Sequence, residues 1–379
     1  MNNIKTDFLI VGSGLYGCVL AERIANILKK KVIILEKRNH IGGNCYSEID
    51  KSTSIEYHKY GTHIFHTSIP SVIDYIQNFT KFNSYRHQVL SRYKSKIYQM
   101  PINLETINSF YKKNFTPSQA ELFIKNKSKK YLKSSYRNFE EKAKAQIGDE
   151  LYEAFIKNYT QKQWNKSPKE LPASIFNRLP MRFNYDEDYY KNPILQGIPL
   201  EGYTKIFQNL IADRKIDIIY NHDFKLTNNY NVKYLTIYTG PIDKLFNNKY
   251  GSLEWRSLKF KKKIFKLNDF QGTSVINYPE TKYAYTRIHE PKHLHPERTY
   301  KNNTLIIEEY PSDNTSEPYY PINTEKNKNI FRQYLKLLNT NKTNRILTGG
   351  RLADYAYYDM DMTISAALKK FDLIKKSYK

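Results

Sequence analysis

Three glycines, one acid and a scatter of arginines among tyrosines are the residues of this chain whose spacing implies chemistry. Gly12, Gly14 and Gly17 form G-x-G-x-x-G within "VGSGLYG". In that pattern the first glycine permits a tight turn and the second lets the backbone approach a pyrophosphate. The third lets a helix pack close to its strand. Glu36 follows 22 residues after Gly14, where a carboxylate meets ribose hydroxyls. Further on, "NYTQKQW" holds Tyr159, Thr160 and Trp164, and "ELPASIFNRLPMRFNYDEDYY" holds Arg178, Arg182, Tyr185 and Tyr189. "YAYTRIHE" holds Tyr285 and Arg287, and "EPYYP" holds Tyr319 and Tyr320. A ring can stack on a base while a guanidinium fork clamps a diphosphate. Any one of these residues reads more simply as core or surface; the set points to a nucleotide.

The elements that must position them follow from the pattern of apolar residues. Phe8–Val11 is a short apolar strand. Val19, Leu20, Ile24, Ile27 and Leu28 recur at helical spacing, and "KVIIL" is a buried parallel strand closed by Glu36. This β-α-β unit occupies about 30 residues, the length of a dinucleotide-binding unit, with unpaired N–H groups of the helix facing the phosphates. A secretory signal fails on the same stretch, because the three glycines break its apolar run and Asp7 precedes it. The turn alone fits a nicotinamide or a flavin nucleotide. "KRNHIGGN" puts a basic pair ahead of Gly42 and Gly43. Near the other end, "TGGRLADYAYYDMDMTISAAL" sets Gly349 and Gly350 after a short strand, with a helical pattern starting near Met362. The two ends together favour FAD. No second G-x-G-x-x-G is present, so a separate NADPH domain is not expected.

Residues 70–190 read as largely helical, apart from a hairpin over 87–100, and residues 235–325 as strand-rich. The expected fold class is α/β: an FAD-binding Rossmann-like domain with a helical insertion domain and an antiparallel β-sheet domain. The expected division assigns 1–80, 197–245 and 325–379 to the first, 101–190 to the helices, and 81–100 with 246–324 to the sheet.

The net charge of +24 suits an acidic partner such as a phosphorylated substrate. The lysine runs at 125–130 and 259–266 are short and separate, which argues against nucleic acid. No apolar run reaches the ~18 residues of a membrane span. Cys18 and Cys45 have no scaffold or zinc spacing, and a reduced cytoplasmic protein is the simplest reading. His63 with His66, and His289, His293 and His295, have ligand-like spacing but lack an accompanying carboxylate pattern, so no metal is expected.

The chain resembles bacterial UDP-galactopyranose mutases from end to end. The resemblance rests on "VGSGLYG", "EKRNHIGGN", "YGTHIFHT", "YTQKQW", "ELPASIFNRLPMRFNYD", "YTGPIDKLF", "SLKF", "YTRIHE", "EPYYPIN" and "GGRLADYAYYDMD". It implies flavin-dependent interconversion of UDP-galactopyranose and UDP-galactofuranose, supplying galactofuranose for surface polysaccharide. It further implies FAD active when reduced, a covalent flavin N5–sugar intermediate, no net redox change, an external reductant and a homodimer. Carried over by motif, Arg178 and Arg287 clamp the diphosphate beside Tyr320 and Tyr357, and Phe155, Tyr159, Thr160, Trp164 and Tyr189 meet the uridine. Arg256 and Asn277 make further substrate contacts. Gly12, Gly14, Tyr16, Gly17, Glu36, Arg38, Gly43, Asn44, Ile64, Arg351, Tyr358, Asp359 and Met360 line the cofactor, with His63 against the flavin. Departures from the family pattern are Thr62, where Ala or Pro is common, "QWNKS" for "QWGRS", and Trp255 for a tyrosine. Two other readings remain: an FAD oxidoreductase of the amine-oxidase type, and an inactive nucleotide-binding interaction protein.

Overall fold

The structure, a computed structural model, describes residues 4–178, 181–313, 317–338 and 345–378, except for the side chains of residues 177 and 178. β1 (Lys5–Val11) runs into the glycine turn, α1 (Leu15–Ile27) follows, and β2 (Val32–Leu35) returns beside β1. Both strands are apolar on both faces, as a sheet covered on two sides requires. They lie inside a five-stranded sheet ordered Ile346–Thr348, Asn231–Tyr238, β1, β2, Ile216–Ile219. Every pairing in it is parallel. α1 packs against the last helix, Met360–Ser377. Their apolar faces join the sheet in one core with Phe8, Ile10, Leu20, Ile24, Phe207, Ile364 and Phe371. The first and last segments of the chain therefore build one nucleotide fold.

The second sheet has seven strands, ordered Tyr320–Pro321, Trp255–Phe265, Thr304–Ser312, Arg287–His289, Val275–Asn277, Val89–Tyr93, Lys96–Met100. It is antiparallel apart from one parallel pair, Ile276 with Leu90 and Asn277 with Ser91. That pair joins strands far apart in sequence, which a reading of local hairpins does not foresee. Helices Leu104–Tyr111, Pro117–Ser128 and Phe139–Leu151 follow strand Lys96–Met100 in the chain. Asn103 and Asn138 cap the first and third of these through their side chains.

Residues 152–157 then form a π-helix that runs into Asn158–Trp164. A π turn inserts an extra residue into the helical ladder and commonly marks functional segments. Here it leads directly into Tyr159, Thr160 and Trp164. The helical core also takes Val89, Tyr98 and Met100 from the hairpin and Val275 from the sheet. Helices and second sheet thus share a core across their junction.

Candidate active site

The glycine turn shows three different reasons for lacking side chains. Gly12 has φ +100°, and a Cβ there would lie 2.3 Å from Thr239 Oγ1. A Cβ on Gly17 would lie 2.2 Å from the Gly12 carbonyl oxygen, so this glycine sets the approach of α1 to its own turn. A Cβ on Gly14 would meet nothing within 4 Å. Protein packing does not forbid a side chain at Gly14, which leaves ligand approach as the reason for its absence. Gly14 is also the N-cap of α1 and makes no side-chain capping bond. The first-turn N–H groups keep their capacity for an anion.

The surrounding groups are anchored. Buried Glu36 accepts from Ser13 N at 2.8 Å, Ser13 Oγ at 2.7 Å and Arg38 N at 2.9 Å. Arg38 donates to Asn44 Oδ1 at 2.9 Å, pairs with Glu317 and lies 4.1 Å over the Tyr60 ring. Its Nε is buried without a partner. Gly43 folds back until a Cβ on it would be 3.1 Å from Gly14 Cα. Buried Tyr16 fills the space under the C-terminal glycines: a Cβ on Gly349 would be 2.2 Å from its hydroxyl, and one on Gly350 3.2 Å from its Cβ. One ring therefore ties the two glycine motifs together. Asp359 caps the last helix without a side-chain bond, and Met360 begins it, two residues before the expected start. This second helix N-terminus therefore lacks a bond from its N-cap side chain, while Met362 N donates to Asp361 Oδ1 at 2.7 Å.

Arg351, just after the glycines, donates to the Tyr358 carbonyl at 3.2 Å through Nε and lies 5.0 Å over the Tyr357 ring. Burial, and the positive charge of Arg351 beside it, push the His63 imidazole down to about 4. His63 Nδ1 lies 2.6 Å from the Gly61 carbonyl oxygen and must donate to it. Neutral His63 then offers Nε2 as an acceptor. Ile64 is buried with Tyr85, Ile198 and Leu294. Burial, with Asp354 alongside, raises the Tyr358 hydroxyl to about 12; it donates to Asp354 Oδ2 at 3.0 Å.

Tyr357 stacks on Tyr320, with centroids 6.0 Å apart and planes 17° apart. Tyr320 lies 6.4 Å from Trp164 and is half-buried within reach of the charges of Glu309 and Arg287. Arg287 donates through Nε to the Tyr159 hydroxyl at 3.0 Å and through its terminal nitrogen to the same oxygen. Burial lifts that hydroxyl to about 12. Burial works against the Arg287 charge, but the Glu309 carboxylate 3.5 Å away and the surrounding Tyr159, Tyr320 and Tyr189 together more than offset it, holding the guanidinium protonated. Asn277 sits opposite Arg287 in the sheet register, its Oδ1 buried and without a partner. Arg256 is buried, donates to the Gln163 carbonyl at 3.0 Å and pairs with Asp313. Trp164, Trp255, Arg256 and Asp313 line a cavity of about 200 Å³.

Some expected residues lie elsewhere. Phe155 is buried among Tyr93, Tyr98 and Phe110, at 5.6, 5.0 and 5.5 Å, in the helical core. Thr160 is buried beside the cluster, and Tyr189 packs edge-on against His87 and Tyr190. Arg182 braces its own loop through Asp186 at 2.9 Å, and Tyr185 is exposed. The side chain of Arg178 lies outside the described residues. The three spaced histidines share no partner: His289 pairs with Glu309, His293 with Asp269 and Glu290, and His295 with Glu56 and Glu297. Asp269, Glu290 and His293 come within 4.8 Å of one another. Glu290 is already engaged by Phe270 N, Gln271 N and Thr304 Oγ1.

Sequence reasoning missed Glu309 and Lys162, and weighed His289 only as a metal ligand. The signal for Glu309 was the pair of acids ending the apolar strand "TLIIEEY". Consecutive strand residues face opposite sides, yet both acids are buried. Lys162 Nζ donates to the backbone carbonyls of Glu280, Tyr283 and Tyr285 at 3.1, 3.0 and 3.0 Å, and to that of Tyr278. It fastens the helix carrying Tyr159 to the loop between Asn277 and Arg287.

The parallel sheet, its glycine turn and the inserted helices and strands define a dinucleotide-binding α/β protein, whose cluster of arginines and tyrosines sits largely on the insertions. A family model described as UDP-galactopyranose mutase matches residues 154–357. Another, an NAD(P)-binding Rossmann-like domain, matches residues 10–79. Over 373 residues the chain is 38% identical to a probable UDP-galactopyranose mutase of Klebsiella pneumoniae, covering 98% of this chain and 95% of that one. Over 382 residues it is 37% identical to dTDP-fucopyranose mutase of Escherichia coli, covering 98% and 99%. A crystal structure of reduced UDP-galactopyranose mutase shares the fold, with TM-score 0.76 at 13% identity over 99% of this chain and 94% of that one. The chain belongs to the UDP-galactopyranose mutase family and is an isomerase. Among the described residues, no helix is long and apolar enough to cross a membrane.

Proposed function

We propose that this protein interconverts UDP-galactopyranose and UDP-galactofuranose with bound FAD. The observation that carries the reading is the stack of Tyr320 on Tyr357 under Arg351, with Arg287 within electrostatic reach of Tyr320 at one end and His63 within reach of Arg351 at the other. It joins a guanidinium suited to a diphosphate to the nucleotide turn of the same chain.

The residues present fit FAD. Gly14 leaves room for a pyrophosphate, and two helix N-termini have no side-chain cap. Arg38 Nε is a buried donor without a partner. Bound and reduced, the flavin would supply the nucleophile, its N5, for the anomeric carbon, with no net redox change. The chain supplies orientation and charge. Arg287, held protonated by Glu309, opposes the negative charge that grows on the departing diphosphate, and Arg178 is proposed to share that task. The Tyr320 and Tyr357 hydroxyls border the same diphosphate. Trp164, Tyr159 and Tyr189 offer faces and edges for the base and ribose, and Arg256 and Asn277 add polar contacts. His63, neutral at pH 7, moves no proton; its Nε2 accepts from whatever N–H or O–H the cofactor presents.

The Escherichia coli relative favours a second substrate, dTDP-fucopyranose. Thymine adds a methyl to the base, and fucose lacks the C6 hydroxyl. A pocket discriminates one methyl group by about 10–200-fold. Incubating dithionite-reduced enzyme with each nucleotide sugar and resolving pyranose from furanose tests both. Conversion of UDP-galactose at tenfold or greater preference supports the first reading, the reverse preference the second, and conversion of neither refutes the mutase assignment. A cytoplasmic homodimer reduced by an external donor, with its product passing to surface-polysaccharide assembly, completes the proposal; light scattering tests the dimer.

A further inference from the structure

Arg287 is set by a buried polar chain that the proposed reaction does not itself require. Glu309 Oε1 lies 3.5 Å from Arg287 Nε, an ion-pair contact without a hydrogen bond because that N–H donates to the Tyr159 hydroxyl, and Glu309 Oε2 lies 2.9 Å from His289 Nε2. On its other side, His289 Nδ1 lies 2.9 Å from Thr62 Oγ1. His289 and Glu309 are 2% and 3% exposed, so water cannot replace either bond. A carboxylate only accepts, so His289 Nε2 carries a proton. In neutral His289, Nδ1 is then an acceptor, and the Thr62 hydroxyl is its donor. Thr62 directly precedes His63, whose backbone N–H donates to His58 Nδ1 at 2.9 Å. The chain therefore runs from the His63 loop to the arginine beside Tyr159.

We propose that His289 and Thr62 are positioning residues for Arg287: the Thr62 hydroxyl fixes the His289 ring, the ring fixes one oxygen of Glu309, and the other oxygen sets the guanidinium against the diphosphate. This rests on the mutase reading, in which Arg287 meets the diphosphate. Two properties make Thr62 informative. Among the described residues no hydrogen bond or ion pair joins it to Arg287 directly, so it acts there through His289 and Glu309, and its hydroxyl can be removed at constant shape. With valine at this position, the buried Nδ1 has no donor and the ring loses its anchor.

The test is Thr62→Val, Thr62→Ser, His289→Gln and Glu309→Gln, with FAD content and thermal melting measured on each. UDP affinity of the oxidised holoenzyme and kcat/KM of the reduced enzyme are then compared. Wild type must first bind UDP and turn over a nucleotide sugar; failure there sinks the mutase reading and leaves the hydrogen-bond chain unaddressed as a separate matter of geometry. Thr62→Val is expected to weaken UDP binding and lower kcat/KM by about two- to tenfold, the worth of one neutral hydrogen bond, with FAD content unchanged. Thr62→Ser should restore both. His289→Gln keeps a donor for Glu309 but loses the ring nitrogen facing Thr62. It should behave like Thr62→Val and replaces it if that variant does not fold. Adding Thr62→Val to Glu309→Gln should cost nothing further, because the connection is already broken. Wild-type affinity and kcat/KM in Thr62→Val, lack of rescue by serine, or full additivity with Glu309→Gln would overturn the proposal.

Discussion

The cofactor turn and the arginine–tyrosine cluster are built on opposite principles. Around Gly14 the site is made of backbone, and what matters is the absence of side chains. Gly17 and Gly349 are required by contacts that a Cβ would bring to 2.2 Å, whereas Gly14 is required by nothing in the protein itself. Around Arg287 the site is made of side chains from five separate segments: 159–164, 255–256, 277–287, 309–320 and 351–357. Arg256 and Glu309 are buried with an opposite charge beside them, and Arg287, Tyr159, Tyr320 and Tyr357 are half-buried against one another or a charged neighbour. A backbone site tolerates no added atom but is insensitive to charge. A side-chain site tolerates changes of shape but depends on each partner keeping its charge or donor.

The sharpest way to break the comparison is within the glycine turn. Gly17→Val forces a contact inside the turn and should destabilise the protein by about 1–3 kcal/mol or more, the cost of overpacking. Gly14→Val has space and should fold, with apo-protein melting near that of wild type, yet purify without flavin absorbance. If Gly14→Val retains full FAD, the pyrophosphate lies elsewhere.

This contrast also explains what could be read from the sequence. The turn, β1, α1, β2 and Glu36 were legible because local spacing dictates them. Met360 as the helix start was missed by two residues because Asp359 caps without a side-chain bond. The cluster around Arg287 was legible from its residues only as a set of arginine–tyrosine stretches suited to a nucleotide; the role of each member came through resemblance, since the members meet by long-range pairing. The parallel pair of Ile276 with Leu90 is one such pairing, and the bond from Thr62 to His289 spans 227 residues. Phe155 shows the limit of motif transfer: its place in the pattern suggested a base, and its surroundings are Tyr93, Tyr98 and Phe110.

The next effect in size concerns Arg287. Arg287→Ala, with FAD retained, should lower kcat by about ten- to a hundredfold, since a charge-assisted contact is worth roughly 1.5–3 kcal/mol and acts mainly in the transition state. Arg287→Lys keeps the charge but loses the fork and should recover only part. Steady-state kinetics decide; a wild-type kcat in the alanine variant places the diphosphate elsewhere.

Acid stability extends the comparison to charge. Burial pushes His58 down to about 3 and His63 to about 4. Unfolded, each binds a proton near its ordinary pKa of about 6.5, so the unfolded chain holds more protons between that value and the folded one. Stability should therefore fall as pH drops from about 6.5 toward 4. Glu56, opposed by burial but held down to about 2 by His295 and His58, adds a loss only below its ordinary range. His58→Gln should flatten the upper limb of a stability–pH curve down to the share that His63 contributes, and should also reduce the loss on the lower limb, because Glu56 then has His295 without His58 to hold its carboxylate down. An unchanged upper limb would mean that His58 is protonated in the folded protein.

The smallest effect belongs to a hydroxyl whose ring stays in place. Tyr320→Phe keeps the stack on Tyr357 and removes one donor, and should cost about two- to tenfold in kcat/KM with no change in FAD content. A larger loss would make that hydroxyl a principal contact of the reaction.

The central claim is that the nucleotide turn and the arginine cluster serve one reaction without net redox change. The direct measurement is anaerobic conversion of UDP-galactofuranose by the same preparation, oxidised and dithionite-reduced, with product and remaining reducing equivalents both counted. The account predicts many turnovers by the reduced protein, with the flavin still reduced at the end, and negligible conversion by the oxidised protein. Equal conversion in the oxidised state, or one reducing equivalent consumed per product, would contradict it.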